Sequence, residues 1–188
     1  GNTHFDFLAL SAAETDSETR AGMLQGFDRL QRKYPDNSQL QFGKALLLQQ
    51  DDRPEEALAL LEQQPSKDRP IASILLHARL LQSLQRNKEA LPLLEAGIKK
   101  HPRDKRLRLT YARLLVSENR LDDAKGEFVE LLQQHPEDDD MRFSLALVCL
   151  EAEAWKEAIV YLEELVERGS HVDAAHYNMA RAYEALGE

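Results

Sequence analysis

This 188-residue chain has six histidines and one cysteine, side chains that can bind a metal ion or act as nucleophiles. His101 and His135 are 34 residues apart and each precedes a proline, so they occupy equivalent places in a repeated segment and not one site. His171 and His176 are five residues apart, a spacing that does not place both on one face of a helix. His77 follows the apolar pattern of a helix, which predicts a buried structural histidine. The histidines therefore predict no metal site.

Other catalytic patterns are also missing from the sequence. Cys149 falls on an apolar helical face and is predicted to pack as a small hydrophobic residue. The acidic run at residues 137–140 lacks the alternating ligands and the central glycine of a calcium loop, and it suits the start of a helix. No glycine-rich phosphate loop, dinucleotide fingerprint or nucleophile elbow occurs. We expect a non-enzymatic protein that holds no cofactor.

Composition narrows the class of protein further. The chain has 24 Lys and Arg against 33 Asp and Glu, a formal charge of −9, which disfavours nucleic-acid binding because affinity for phosphates rests on cations. No apolar run reaches the length of a membrane span, so we expect no direct membrane insertion by this segment. Eight glycines, seven prolines and 6% aromatic residues are few for a sandwich or a barrel. The composition favours a helical protein with a substantial core.

A fixed period organises the chain. One series of alanines recurs at spacings of 33, 34, 34 and 34, and a second series follows the first four members by 12 residues. Between these marks, apolar residues recur at helical spacing, as in Leu107, Tyr111, Leu114 and Leu115. Each period therefore predicts two amphipathic helices joined by a short turn. The first series is Ala45, Ala78, Ala112, Ala146 and Ala180, and the second is Ala57, Ala90, Ala124 and Ala158.

These residues resemble the tetratricopeptide repeat (TPR), a 34-residue helix–turn–helix with small residues at repeat positions 8 and 20, a large apolar residue at 24 and proline at 32. The two alanine series occupy the small positions, and Pro102 and Pro136 occupy position 32. The tryptophan often found at position 4 is absent, and Arg108, Arg142 and His176 stand there. The resemblance implies an all-α, TPR-type α–α superhelix, a solenoid of antiparallel helical hairpins. Residues at position 24 are Leu61, Leu94, Phe128 and Leu162.

We expect one array across residues 1–188, with five hairpins and a final helix. The last helix, with Met179, Tyr183 and Leu186 on a face that no later helix covers, favours a piece of a longer array over a polar cap. Self-association through this uncapped helix is a further expectation. The predicted segments are a degenerate repeat at 4–37, repeats at 38–70, 71–104, 105–138 and 139–172, and the first helix of a truncated repeat, or a cap, at 173–188.

The first helix of each repeat has a second apolar face, formed by repeat positions 5, 9 and 12 and lying roughly opposite its core face. This face either packs between neighbouring repeats or lines an open concave groove. The face contains arginines, and because an unpaired arginine is costly to bury, they favour the groove. The arginines either hold carboxylates or carbonyls of a partner, or pair with acidic residues nearby. The predicted groove residues are Phe42, Leu46, Leu75, Arg79, Arg106, Leu109, Arg113, Phe143, Leu147, Leu150, Tyr177 and Arg181.

The resemblance implies a protein–protein interaction scaffold or adaptor that binds a protein or peptide segment in this groove. The alternative is an accessory recruiting arm of a larger enzyme or envelope machine, such as a protease, whose catalytic part lies outside the chain. RNA binding of the pentatricopeptide kind is disfavoured by the charge and the period, and the lysine and asparagine of the carboxylate clamp are missing at positions 5 and 9. The sequence style is similar to that of proteobacterial TPR proteins, which leaves the cell envelope, as a periplasmic protein or lipoprotein, and the cytoplasm both open.

Overall fold

A computed structural model of the protein describes residues 17–64 and 69–187, and in these two ranges it contains ten α-helices and no strand. The chain divides into two compact units, Gly1–Arg86 and Asn87–Glu188, and the division falls between the two helices of the predicted repeat at 71–104. The helices of the first unit are α1 (Ser17–Lys33), α2 (Ser38–Gln50), α3 (Pro54–Glu62) and α4 (Ile71–Ser83). Those of the second are α5 (Asn87–Lys100), α6 (Lys105–Ser117), α7 (Leu121–Gln134), α8 (Asp139–Glu151), α9 (Trp155–Glu167) and α10 (Val172–Leu186).

In the first unit, α1 packs on α2, α2 on α3 and α3 on α4. Helix α3 has only nine residues, and Arg69 follows it and donates to the carbonyl oxygens of Leu61 at 3.0 Å and Gln64 at 2.9 Å, so carbonyls at the end of α3 are paired. Arg69 also donates to Nδ1 of His77 at 2.8 Å. His77 is buried, as predicted for a structural histidine. The first helix of the predicted repeat at 4–37 lies outside the described residues.

In the second unit, each helix from α5 to α10 packs on the next helix of the chain. The partners α6 and α7 are joined by residues 118–120, and α8 and α9 by residues 152–154, connections that are short enough to form helical hairpins. Helices α6 and α8 begin at residues 105 and 139, where the predicted repeats begin. The last packed helix, α10, places Ala175, Asn178 and Ala182 on its buried face.

The alanine series marks the places where paired helices approach. Ala112 in α6 and Ala124 in α7 have no exposed surface, and Ala146 in α8 and Ala158 in α9 repeat this arrangement. Small side chains let two helices cross closely without the helix penalty of glycine. Ala180, the next member of the first series, is exposed, whereas Ala175, Asn178 and Ala182 lie on the buried face of α10. The same pairing holds for Ala45 and Ala57 in α2 and α3, and Ala78 and Ala90 are also buried.

The turns repeat as closely as the helices do. The second residue after each first helix has a positive φ of 56–59°, at Asp52, Gln85, Asn119 and Glu153, with spacings of 33, 34 and 34 residues. This left-handed conformation reverses the chain after the first helix, although none of the four residues is glycine. The helix starts repeat too, because side-chain oxygens of Asn37, Asp104 and Asp138 accept from backbone N–H groups in the first turns of α2, α6 and α8.

Replacement of Asp104 by alanine tests how much one helix start contributes to stability. Its carboxylate accepts from the backbone N–H groups of Arg106 at 3.0 Å and Leu107 at 3.2 Å. We expect Asp104→Ala to lower the free energy of unfolding by about 1 kcal/mol, measured by urea denaturation, because two N–H groups lose their acceptor. Asp104→Asn retains a capping oxygen and is the matched control. An asparagine variant as unstable as the alanine variant would contradict a capping role.

Candidate protein-binding site

The first helices of successive hairpins lie side by side at their N-terminal ends in the second unit. Lys105, the first residue of α6, forms an ion pair with Asp138, the cap of α8. His171, the cap of α10, stacks on Phe143 of α8 with ring centroids 4.8 Å apart, and its Nε2 lies 2.9 Å from Oδ1 of Asp140. These contacts place α6, α8 and α10 next to one another in that order.

The apolar face opposite the core is partly open in this unit. We call the residues at repeat positions 5 and 9 of α6, α8 and α10 the first-helix stripe; they are Leu109, Arg113, Phe143, Leu147, Tyr177 and Arg181. Leu147 is 40% exposed and Tyr177 is 66% exposed. Leu109 and Phe143 are half-buried, and one ring face of Phe143 is covered by His171. The stripe is therefore an accessible surface with two exposed apolar side chains and two half-buried ones.

One predicted groove residue, Leu150, is placed differently from the prediction, and for Arg106 the structure decides between two alternatives. Leu150 is only 8% exposed and belongs to the core, because position 12 of α8 turns toward neighbouring helices and not outward. It is not available to a partner. Arg106 is exposed, but its Nη2 donates to the carboxylate of Asp104 at 2.7 Å, so it pairs with an acidic residue nearby, which is one of the two alternatives open at the sequence level.

The stripe arginines differ from Arg106. Arg113 is exposed and has no ion pair or hydrogen bond with any residue in the described part of the chain. Arg181 is exposed; its guanidinium lies 6.0 Å from the ring centroid of Tyr177, and its Nη1 donates to the side-chain oxygen of Asn178 at 3.4 Å. Neither arginine has a carboxylate partner among the described residues. Both retain donors that an acidic ligand could accept from.

The predicted groove residues of the first unit form a separate surface on α2 and α4. Phe42 and Leu46 of α2 and Leu75 of α4 are half-buried. Arg79 is exposed, and its Nε donates to the carbonyl oxygen of Leu75 at 3.4 Å within the same helix. This surface has apolar character, but none of its three apolar residues is as open as Leu147 or Tyr177.

The arginines at repeat position 4 have a structural role that sequence reasoning did not assign. Arg108 of α6 donates to Glu127 of α7 at 2.6 Å. Arg142 of α8 is buried and donates to Glu164 of α9 at 2.8 Å and to the carbonyl oxygen of Pro136 at 2.6 Å. Each arginine joins the two helices of its own hairpin, in the place where the family often has tryptophan. The sequence signal for these ion pairs is the recurrence of arginine at repeat position 4, 34 residues apart at Arg108 and Arg142, where the family often has tryptophan.

The described residues contain no metal-holding cluster, and the single thiol is buried. Within the two described ranges, no group of three or more His, Cys, Asp or Glu side chains is arranged to hold a metal ion. Cys149 has no exposed surface, and burial raises the pKa of its thiol to about 11. None of the helices in the same ranges has the length and apolar character that crossing a membrane requires.

Antiparallel helical hairpins that repeat every 33 or 34 residues define an α-helical repeat protein of the solenoid class. Residues 81–146 match the family model described as tetratricopeptide repeat, which confirms the resemblance in this segment, and the fold is that of a TPR-type solenoid. A 111-residue segment, 59% of this chain, is 70% identical to the TPR repeat-containing protein PA4667 of Pseudomonas aeruginosa. That segment corresponds to 19% of the relative's length.

Solved structures agree on the fold. YrrB, described as a TPR protein with an unusual peptide-binding site, superposes with a TM-score of 0.72 and 17% identity over 95% of this chain and 88% of its own. MamA superposes with a TM-score of 0.70 and 12% identity over 80% of this chain and 88% of its own. At these identities the likeness establishes the helical-repeat architecture alone.

Thiol labelling tests the packing of α8. Because the pKa of Cys149 is raised and the side chain is buried, the thiol stays protonated and inaccessible at pH 8. We expect an aromatic disulfide reagent to leave the folded protein unlabelled for hours and to label one thiol per chain within minutes in concentrated urea. Rapid labelling without denaturant would contradict the buried placement of this residue.

Proposed function

We propose that this protein is a non-enzymatic protein–protein interaction scaffold and that the first-helix stripe of its second unit binds a segment of a partner protein. The observation that supports this most directly is the exposure of Leu147 and Tyr177 on neighbouring first helices. Burial of one such apolar side chain contributes roughly 1.5–3 kcal/mol, so a partner that covered both would gain substantial binding energy. Half-buried Leu109 and Phe143 extend the same apolar surface.

The binding surface is built from rigid elements. Leu147 is carried by α8 and Tyr177 by α10, and each of these helices packs along its length on α9. Since the helices are held by their core faces, the stripe needs no rearrangement before a ligand binds. A preformed surface leaves most of the ordering cost to the partner segment, and this is how helical grooves commonly recognise peptides.

The relatives are consistent with this proposal. TPR proteins generally act as scaffolds, and YrrB is described as having a peptide-binding site. The described part of the chain contains no group of three or more side chains that could hold a metal ion, and its single thiol is buried. We therefore propose binding, with no reaction, as the activity of this segment.

A second proposal is that the segment is the recruiting arm of a larger machine. The observation that favours it is the length of the Pseudomonas aeruginosa relative, of which the matched segment is 19%. In this case the same stripe would bind a substrate or partner for a domain elsewhere in the polypeptide. The length of the complete gene and the presence of a catalytic motif beside the repeats would distinguish this arrangement from a scaffold alone.

A pair of matched substitutions tests the proposed site. Leu147 on α8 is 40% exposed and Val160 on α9 is 52% exposed, so aspartate at either position replaces an accessible apolar side chain by a charge. We expect Leu147→Asp to remove most of the partner proteins captured from the native organism, because a charge in the stripe must lose its water when a partner covers it. The captured proteins would be quantified by mass spectrometry after affinity purification.

Val160→Asp is the control, because it changes the same kind of exposed side chain on a second helix outside the stripe. We expect it to capture the same proteins as the unmodified chain, and both variants to retain the unmodified helical circular dichroism. Equal capture by the Leu147→Asp chain, or equal loss by both variants, would exclude the stripe as the binding surface.

A further inference from the structure

We infer that the partner segment is an extended peptide that carries two carboxylates five or six residues apart with a large apolar residue between them. This inference rests on the proposed function and specifies the ligand of the same stripe. It is based on the side chains at repeat position 9. These are Arg113 in α6, Leu147 in α8 and Arg181 in α10. A cation, an apolar side chain and a second cation thus follow one another across three neighbouring helices.

The arginines at repeat position 9 differ from most other arginines of the second unit in having no carboxylate partner among the described residues. The unit has eight arginines, and five of them form ion pairs with carboxylates. Arg103, Arg113 and Arg181 have no carboxylate partner among the described residues, and two of these three flank Leu147. The five paired arginines are Arg106, Arg108, Arg120, Arg142 and Arg168.

Arg113 and Arg181 lack carboxylate partners among the described residues although the chain has more acidic than basic residues. The formal net charge is −9, and Glu184 follows Arg181 by three residues, a helical spacing that favours ion pairs, yet the two form none. The guanidinium of Arg181 lies instead toward Tyr177. A planar guanidinium with free donors binds a carboxylate in a paired geometry, and the neighbouring apolar surface excludes water once the ligand is seated.

The separation of the two arginines sets the length of the ligand. Helices whose side chains touch lie about 8–10 Å apart, so the axes of α6 and α10, each joined to α8 by side-chain contacts, are roughly 16–20 Å apart. An extended chain rises about 3.3 Å per residue and covers this distance in about five or six residues. A helical ligand, rising about 1.5 Å per residue, would need about 11–13 residues. The apolar residue belongs midway, opposite Leu147.

A series of synthetic peptides tests the spacing. Four fluorescent peptides would carry two aspartates separated by about three, six, nine or twelve positions, with one leucine midway and glycine and serine elsewhere. We expect fluorescence anisotropy at low salt to give the tightest binding at a separation of six and at least about threefold weaker binding at three and twelve. Affinity that is independent of the separation, strongest binding at a separation other than six, or no binding of the six-spaced peptide up to about 1 mM would overturn the inference.

Charge reversal identifies the residues that read the ligand. We expect Arg113→Glu to weaken binding of the six-spaced peptide about fivefold to tenfold, since attraction at an exposed pair is replaced by repulsion. Arg103→Glu is the matched control: Arg103 is exposed, has no carboxylate partner among the described residues, and lies in the turn before α6. An equal effect of the two substitutions would indicate non-specific attraction and would overturn the inference.

The outcomes separate this inference from the proposed function. If Leu147→Asp removes partner capture while the peptides show no preferred spacing, the first-helix stripe binds proteins, but it does not recognise two carboxylates at a fixed separation. If Leu147→Asp leaves capture unchanged, the scaffold proposal itself fails at this surface.

Discussion

Two helices can cross closely only where neither has a bulky side chain, and this constraint explains the alanines that recur in the described hairpins. In the hairpins formed by α2 and α3, α6 and α7, and α8 and α9, an alanine on each helix is completely buried. The second alanine follows the first by 12 residues, which leaves room for the rest of the first helix, a short turn and the first turn of the next helix. A larger residue at either place would separate the helices and expose the leucines around them.

The close crossing has a consequence for the surface. When a first helix is held by its partner on one face, the opposite face is covered only as far as neighbouring hairpins reach it. In the second unit that cover is incomplete at Leu147 of α8, whereas Leu150 of the same helix is buried. Arg108 and Arg142 strengthen the hairpins by ion pairs across them, so the exposed residues are not needed to hold the helices together. Their exposure is the observation on which the proposed binding surface rests.

Much of this architecture could be predicted from the sequence because the period repeats. The starts of α6 and α8, the buried alanines and the buried His77 follow from residue spacing and apolar pattern alone. The state of individual stripe residues could not be predicted, because it depends on side chains supplied by other segments. Phe143 is covered by His171 from the cap of α10, and Arg106 pairs with the cap of its own helix. Repeat position assigns a residue to a face, and the neighbouring turns decide how open that face is.

Protection of the stripe by a bound partner tests the account most directly. Leu147→Cys and Val160→Cys place one accessible thiol on α8 or α9, and the native Cys149 need not be removed because it is buried. Maleimide labelling rates would be measured with the partner absent and then saturating. The account predicts that both thiols react quickly in the free protein and that the partner slows labelling strongly at position 147 and not at position 160. A thiol at position 147 that is already inaccessible in the free protein, or that reacts equally fast when the partner is bound, would contradict it.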